Sequence, residues 1–232
     1  MKRLLLIGIL LMGINANLYA NKLEDLTNSC NGGDIVGCVD LAWMYRKGEG
    51  VNQNTLKAEE FYTKGCEGGQ ASACTYLGDM YRKGEGLNQD KSKSVQLYMK
   101  GCNEGDSYAC TRLGTMYFTG EGVVKNCLKA EEFYTKGCSG TKGVGNALAC
   151  SILGVNYANG IGVKKNAFKA VELLTKSCHW NNAIACTQLG MMYYNGEGTK
   201  KSFRDAEYFL RRGCYGGDDN GCKSYESLFD SK

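Results

Sequence analysis

The chain has 232 residues, 13 cysteines, 32 glycines, no proline, a single histidine and a formal charge of +4. Average usage would give roughly a dozen prolines, so their absence excludes proline-rich linkers, PxxP ligands and collagen. Apolar content of 43% argues against wholesale disorder, the mild basicity calls for no nucleic acid, and one His excludes multi-His metal sites.

The first element in chain order is a leader. Lys2 and Arg3 form a positive n-region, Leu4 to Met12 is an apolar run, and Leu18-Tyr19-Ala20 supplies a cleavage site. This pattern predicts a Sec-type signal peptide over residues 1–20, too short to span a bilayer. No Cys near the cut offers a lipid anchor, and no later segment is apolar enough to cross a membrane. The expectation is an exported protein, periplasmic or secreted, whose cysteines form a disulfide framework.

From residue 21 onward the cysteines keep a register. Cys30/Cys38, Cys66/Cys74, Cys102/Cys110, Cys178/Cys186 and Cys214/Cys222 share one spacing, while Cys138/Cys150 is wider through an insertion around Ser139 to Asn146. The second members step by 36 residues except across that insertion, which predicts a solenoid. Residues 21–37 and 222–232 read as caps, and the repeats as 38–73, 74–109, 110–149, 150–185 and 186–221, together one domain.

Each repeat reads as two helices. Counting from the second Cys, Leu41, Leu77, Leu113, Leu153 and Leu189 stand at position three. Tyr45, Tyr81, Tyr117, Tyr157 and Tyr193 stand at position seven. These share one helical face with the Cys. Position four is Ala42, Gly78, Gly114, Gly154 and Gly190; a small residue there lowers helix propensity, so close helix contact is its natural explanation. Asp34, Gln70, Asp106, Asn146, Asn182 and Asp218 are expected to start the first helices. Asn54, Asp90, Asn126, Asn166 and Ser202 are expected to cap the second.

Each Cys pair therefore joins the end of one second helix to the start of the next first helix. On one continuous helix the two would stand roughly 12 Å apart, beyond disulfide reach, but a turn between them folds the chain back. Six local bridges are predicted: Cys30–Cys38, Cys66–Cys74, Cys102–Cys110, Cys138–Cys150, Cys178–Cys186 and Cys214–Cys222. Zinc is the rival reading, and this spacing lacks the zinc-ligand pattern. Cys127, at position 17, has no repeat partner and is expected to be a free thiol in an exposed first turn, or a bridge to another chain.

Leu113-Gly114-Thr115-Met116-Tyr117-Phe118-Thr119-Gly120-Glu121-Gly122-Val123, followed by Lys129-Ala130 and Tyr134-Thr135-Lys136, resembles the Sel1-like repeats, relatives of the tetratricopeptide repeats. The added Cys pair resembles the Helicobacter cysteine-rich protein family. The resemblance spans residues 21–232 and implies an all-α, right-handed αα superhelix. It also implies penicillin binding with weak β-lactamase activity, or secretion to act on host cells.

The residues supply no mechanism for that activity. A serine β-lactamase needs S-x-x-K, S-D-N and K-T-G. Only Ser139-Gly140-Thr141-Lys142 matches the first, inside the insertion, and the other two motifs are absent. His179 stands alone beside Trp180. No catalytic residue, metal or cofactor is assigned.

A binding scaffold fits the residues better. First helices of αα solenoids line a concave surface. Positions 2, 5, 8 and 9 are expected to face that groove, giving Asp40, Trp43, Arg46, Tyr76, Asp79, Arg82, Arg112, Phe118 and Tyr194 as candidates. Exposed Trp, Tyr and Arg often anchor partners. The expected ligand is a protein, a peptide or a peptidoglycan-derived molecule, with β-lactams as the alternative.

Overall fold

A computed structural model describes residues 21–140 and 143–230; the expected leader lies outside the described residues. Every regular element among them is helical, and there is no strand. The chain divides into two units between Glu104 and Gly105. The first holds α1 (helical over 21–31), α2 (Ile35–Lys47), α3 (Thr55–Glu67), α4 (Ala71–Lys83) and α5 (Lys91–Asn103). The second holds α6 (Ser107–Thr119), α7 (Cys127–Ser139), α8 (Val144–Asn159), α9 (Ala167–His179), α10 (Ala183–Asn195), α11 (Phe203–Tyr215), α12 (Asp219–Tyr225) and a π-helical turn, Glu226–Asp230.

Local chemistry sets the boundaries. Asn54, Asp90, Asn126, Asn166 and Ser202 each accept a backbone N–H from the first turn of α3, α5, α7, α9 and α11. Asp34, Asp106, Asn182 and Asp218 cap α2, α6, α10 and α12 in the same way, while Gln70 precedes α4 without a side-chain cap bond. The first helices stop at Gly48, Gly84, Gly120, Gly160 and Gly196, all left-handed with φ near +70 to +80°, a conformation only glycine adopts without cost.

Asn146 departs from the expected pattern. The insertion extends α8 to 16 residues, so its helix begins at Val144 and Asn146 lies inside it. Its buried amide donates to Ser107 Oγ and to the Gly137 carbonyl, both at 2.7 Å. The extra turn is thereby tied to α6 and α7.

Within each unit, consecutive helices pack side by side: α2 on α3, α3 on α4 and α4 on α5 in the first, with the same order from α6 to α12 in the second. Leu41, Leu113, Leu153 and Leu189 are essentially sealed from solvent, each stabilising the fold by about 1.5–3 kcal/mol. A further core row, Met44, Met80, Met116 and Met192 at position six, was not expected. Position four earns its small residues. A Cβ on Gly78 would meet the Tyr98 ring at 2.9 Å, and one on Gly154 or Gly190 would meet a leucine Cγ at 2.8 Å.

Five bridges join Cys30 to Cys38, Cys66 to Cys74, Cys138 to Cys150, Cys178 to Cys186 and Cys214 to Cys222, with Cα atoms 4.4–4.7 Å apart. Cys102 and Cys110 are also disulfide-bonded. Cys127 carries a free thiol. It is half-buried beneath the turn at Gly162 and beside Phe118, not exposed as expected, because the turn of the following repeat rests on this first helical turn. Thr55 under Gly86 and Ala167 under Gly198 occupy the same niche.

Candidate binding face on α2 and α4

The candidate residues do not share one environment. Asp40, Trp43 and Tyr76 come together in the first unit. Val36 and Val39 lie four residues before Asp40 and Trp43, so all four share one stripe of α2. Ser72 and Tyr76 are related in the same way on α4. These six residues, with Gln70, line an open cavity of about 360 Å³. Trp43 is 40% exposed and Tyr76 37%, and the Tyr76 ring is braced by Tyr62 at 5.5 Å. Val36, Val39, Gln70 and Ser72 were missed from sequence, although helical spacing from Asp40, Trp43 and Tyr76 points to three of them.

Arg46 is placed differently from expectation. Its Nε and Nη2 reach Glu85 at 2.9 and 2.6 Å, and it lines a neighbouring cavity of about 450 Å³ with Lys47, Lys83 and Glu85. Burial alone would lower the guanidinium's pKa, but Glu85 outweighs it and holds Arg46 above its ordinary value. Burial likewise pushes the Glu85 carboxyl up, and Arg46 and Lys83 more than reverse that. Arg46 is thus committed to a carboxylate of its own chain.

Asp79 is not on the face at all. It is 7% exposed and accepts the Tyr98 hydroxyl at 2.5 Å. Arg82, half-buried, acts on the same phenol. Burial, reinforced by Asp79, raises Tyr98 far above its ordinary pKa. In the second unit, Arg112 is half-buried over the Tyr108 ring at 4.6 Å. Phe118 is half-buried with Lys125 Nζ 5.7 Å from its ring, and Tyr194 meets Phe203 edge-on at 5.3 Å. These three do not converge on one site.

Position five explains why Asp79 and Trp43 differ. Asp79 accepts from Tyr98, and Thr115 accepts from Tyr134 at 3.1 Å. Where the facing residue is Leu174 or Leu210, position five is Val155 or Met191. The first repeat breaks this match. Tyr62 is fully buried, its hydroxyl meets no hydrogen-bond geometry among the described residues, and position five is the outward-facing Trp43. Burial pushes the Tyr62 phenol up to about 12, while Arg46 pulls against that rise.

Tyrosine–lysine pairs recur between helices. Tyr81 donates to Glu59 and accepts from Lys93 at 2.5 Å; Tyr157 donates to Glu131 and accepts from Lys169 at 2.5 Å. Burial first, and the glutamates second, lift both phenols above their ordinary value. They stay protonated and hold repeats together instead of serving as bases. Ser139 ends α7 with its hydroxyl on the Lys136 carbonyl at 2.8 Å; Thr141 and Lys142 lie outside the described residues. No group of three or more His, Cys, Asp or Glu among the described residues could hold a metal ion.

A run of αα pairs in fixed register, each joined to the next by a short turn, defines an αα-repeat protein. The Sel1 repeat profile matches residues 35–70, 71–106, 107–141, 147–179 and 183–218, and the chain belongs to the Sel1 repeat family. Repeats of this family generally mediate protein interactions. Among solved structures, the chain resembles the Escherichia coli protective antigen c5321, described as displaying an SLR fold (26% identity, TM-score 0.80, covering 88% of this chain and 43% of that one). This chain therefore spans less than half the length of the antigen. It also resembles a Sel1 repeat protein from Oxalobacter formigenes (24% identity, TM-score 0.79, 94% and 90% covered). Helicobacter pylori cysteine rich protein B is a further structural neighbour (27% identity, TM-score 0.47, 59% and 95% covered). No functionally curated protein matches the chain.

Proposed function

We propose that the chain is an exported protein-binding scaffold and that the α2–α4 face is its recognition surface. The observation that carries this reading is the placement of Trp43 and Tyr76, from consecutive repeats, on one open cavity. Large aromatics lose little rotamer entropy on contact, and Trp and Tyr are enriched among interface anchors. The export part of the reading rests on the leader pattern of residues 1–20 and on the disulfides, which persist in oxidising compartments. A peptidoglycan-derived ligand rests only on the charge pattern of the groove positions in the sequence, and β-lactam hydrolysis on family resemblance alone. Ser72 and Tyr76 bring hydroxyls to the cavity, but no lysine or histidine lines it to activate a nucleophile.

The test is quantitative affinity capture from periplasmic and culture-medium extracts of the source bacterium, comparing the wild type with a Trp43→Ala/Tyr76→Ala double variant of unchanged circular dichroism. A true anchor costs about 2 kcal/mol or more when truncated, roughly a thirtyfold loss of affinity. Specific partners should be retained by the wild type and lost by the variant. Equal capture by both places the partner surface elsewhere.

A further inference from the structure

We propose that the α2–α4 cavity receives a cationic side chain, lysine or arginine, presented by the partner polypeptide. This deepens the protein-binding reading and rests on it.

The argument begins with charge. Asp40 is the only charged group among the residues lining the cavity, and it is exposed. It stands one helical turn before Trp43, so a carboxylate and an indole flank the same opening. The cations that the helix register would bring near are directed elsewhere. Arg46 is held by Glu85, and Lys47 and Lys83 line the neighbouring cavity. The opening therefore combines one negative charge with two aromatic rings and no lysine or arginine.

The second observation is what the fold does with its other aromatics. Lys57 lies over Tyr45, Lys93 over Tyr81, Lys129 over Tyr117 and Lys169 over Tyr157, at 3.9–5.2 Å from the ring centres. Aromatic faces attract cations through the ring quadrupole, and this chain uses that attraction repeatedly between its own helices. Trp43 and Tyr76 carry no such cation among the described residues, although both rings are exposed and Tyr76 is held in place by Tyr62. Trp gives the strongest of these attractions, and a nearby carboxylate adds to it. A volume of about 360 Å³ admits the end of a lysine or arginine side chain with its residual water.

The test is an NMR titration of ¹⁵N-labelled, disulfide-intact protein. The Trp43 indole N–H is followed, distinguished from that of Trp180, the second Trp, by its loss in Trp43→Phe. The probes are capped glycine–serine peptides carrying one central arginine, lysine, norleucine or glutamate. Arginine and lysine peptides should shift the Trp43 signal saturably, at least fivefold more tightly than the norleucine peptide, with the glutamate peptide weakest. Asp40→Asn, at an exposed position, should weaken the arginine peptide several-fold and leave the norleucine peptide unchanged. Norleucine bound as tightly as arginine, or indifference to Asp40→Asn, overturns the cation site while leaving the face available for protein binding. A Trp43 signal unmoved by every peptide also overturns it, and the capture experiment then decides the wider reading separately.

Discussion

Replacing Gly190 by alanine should destabilise the protein even though alanine is the better helix former. The methyl group would add about 1 kcal/mol of helix propensity. It would also sit 2.8 Å from Leu210 Cγ, 3.0 Å from the Leu210 nitrogen and 3.1 Å from the Ala206 carbonyl oxygen. Two of those neighbours are backbone and cannot rotate aside, so α10 and α11 must move apart. Overpacking of this kind costs about 1–3 kcal/mol, which leaves a net loss of about 1 kcal/mol. The reciprocal change, Ala42→Gly, also destabilises, by about 2 kcal/mol, since it loses propensity and opens a methyl-sized void at a fully buried position. At this chain length 1 kcal/mol corresponds to about 2–4 °C in Tm. Thermal melts of the oxidised proteins by far-UV circular dichroism give the sign. Hydrogen exchange localises the change to α10 and α11 or to α2 and α3, which matters because repeat arrays open locally. A rise in Tm for Gly190→Ala would show that the helices are not in close contact and that position four is small for another reason.

Two further outcomes follow from the buried phenols. Tyr98→Phe removes the hydroxyl that Asp79 accepts and should cost about 1–3 kcal/mol, whereas Tyr62→Phe removes a buried hydroxyl without a hydrogen-bond partner and should be neutral or stabilising by up to about 1 kcal/mol. Urea titrations compare them directly, and the reverse order would refute the pairing argument. Alkali should also weaken the fold. An unfolded tyrosine ionises near pH 10, while burial holds Tyr62 protonated to about 12 and raises Tyr98 and Tyr134 as well. The stability that protonated Tyr62 contributes is intact below about pH 10 and lost between about pH 10 and 12, by about 3 kcal/mol; the raised Tyr98 and Tyr134 act in the same direction. The urea midpoint should fall across that window alongside growing tyrosinate absorbance, and a constant midpoint to about pH 11.5 would contradict the buried placement.

The features legible in the sequence were those fixed by near neighbours. The five caps from Asn54 to Ser202 depend on a bond within one helical turn. The bridges join cysteines that a single turn brings together. The lone Cys127 stood out because every other Cys had a partner in register. What could not be read depended on groups distant in the chain. Asn146 occupies the register position of a cap, but three added helical residues carry it inside α8. It bonds instead to Ser107, 39 residues earlier. Arg46 occupies a groove position by count, yet its direction is decided by Glu85, also 39 residues away. Cys127 is a first-turn residue by count, and its burial comes from the turn at Gly162.

Position five follows a structural rule that one repeat breaks. It lies on the boundary between the buried and outer faces, so its identity follows the residue across the helix pair. Asp79 and Thr115 are polar because Tyr98 and Tyr134 donate to them; Val155 and Met191 are apolar opposite Leu174 and Leu210. Given Tyr62, the same rule calls for an acceptor at residue 43. The chain has Trp43 instead, and the Tyr62 hydroxyl is left buried without a hydrogen bond, a loss of about 1–3 kcal/mol. Trp43 is 40% exposed, and Arg46, the cation that acts on this phenol, is held by Glu85. Locally destabilising choices that the fold does not use are expected at functional positions. On the proposed binding reading, the aromatic at residue 43 answers to what it contacts outside the chain, which the capture experiment with Trp43→Ala tests.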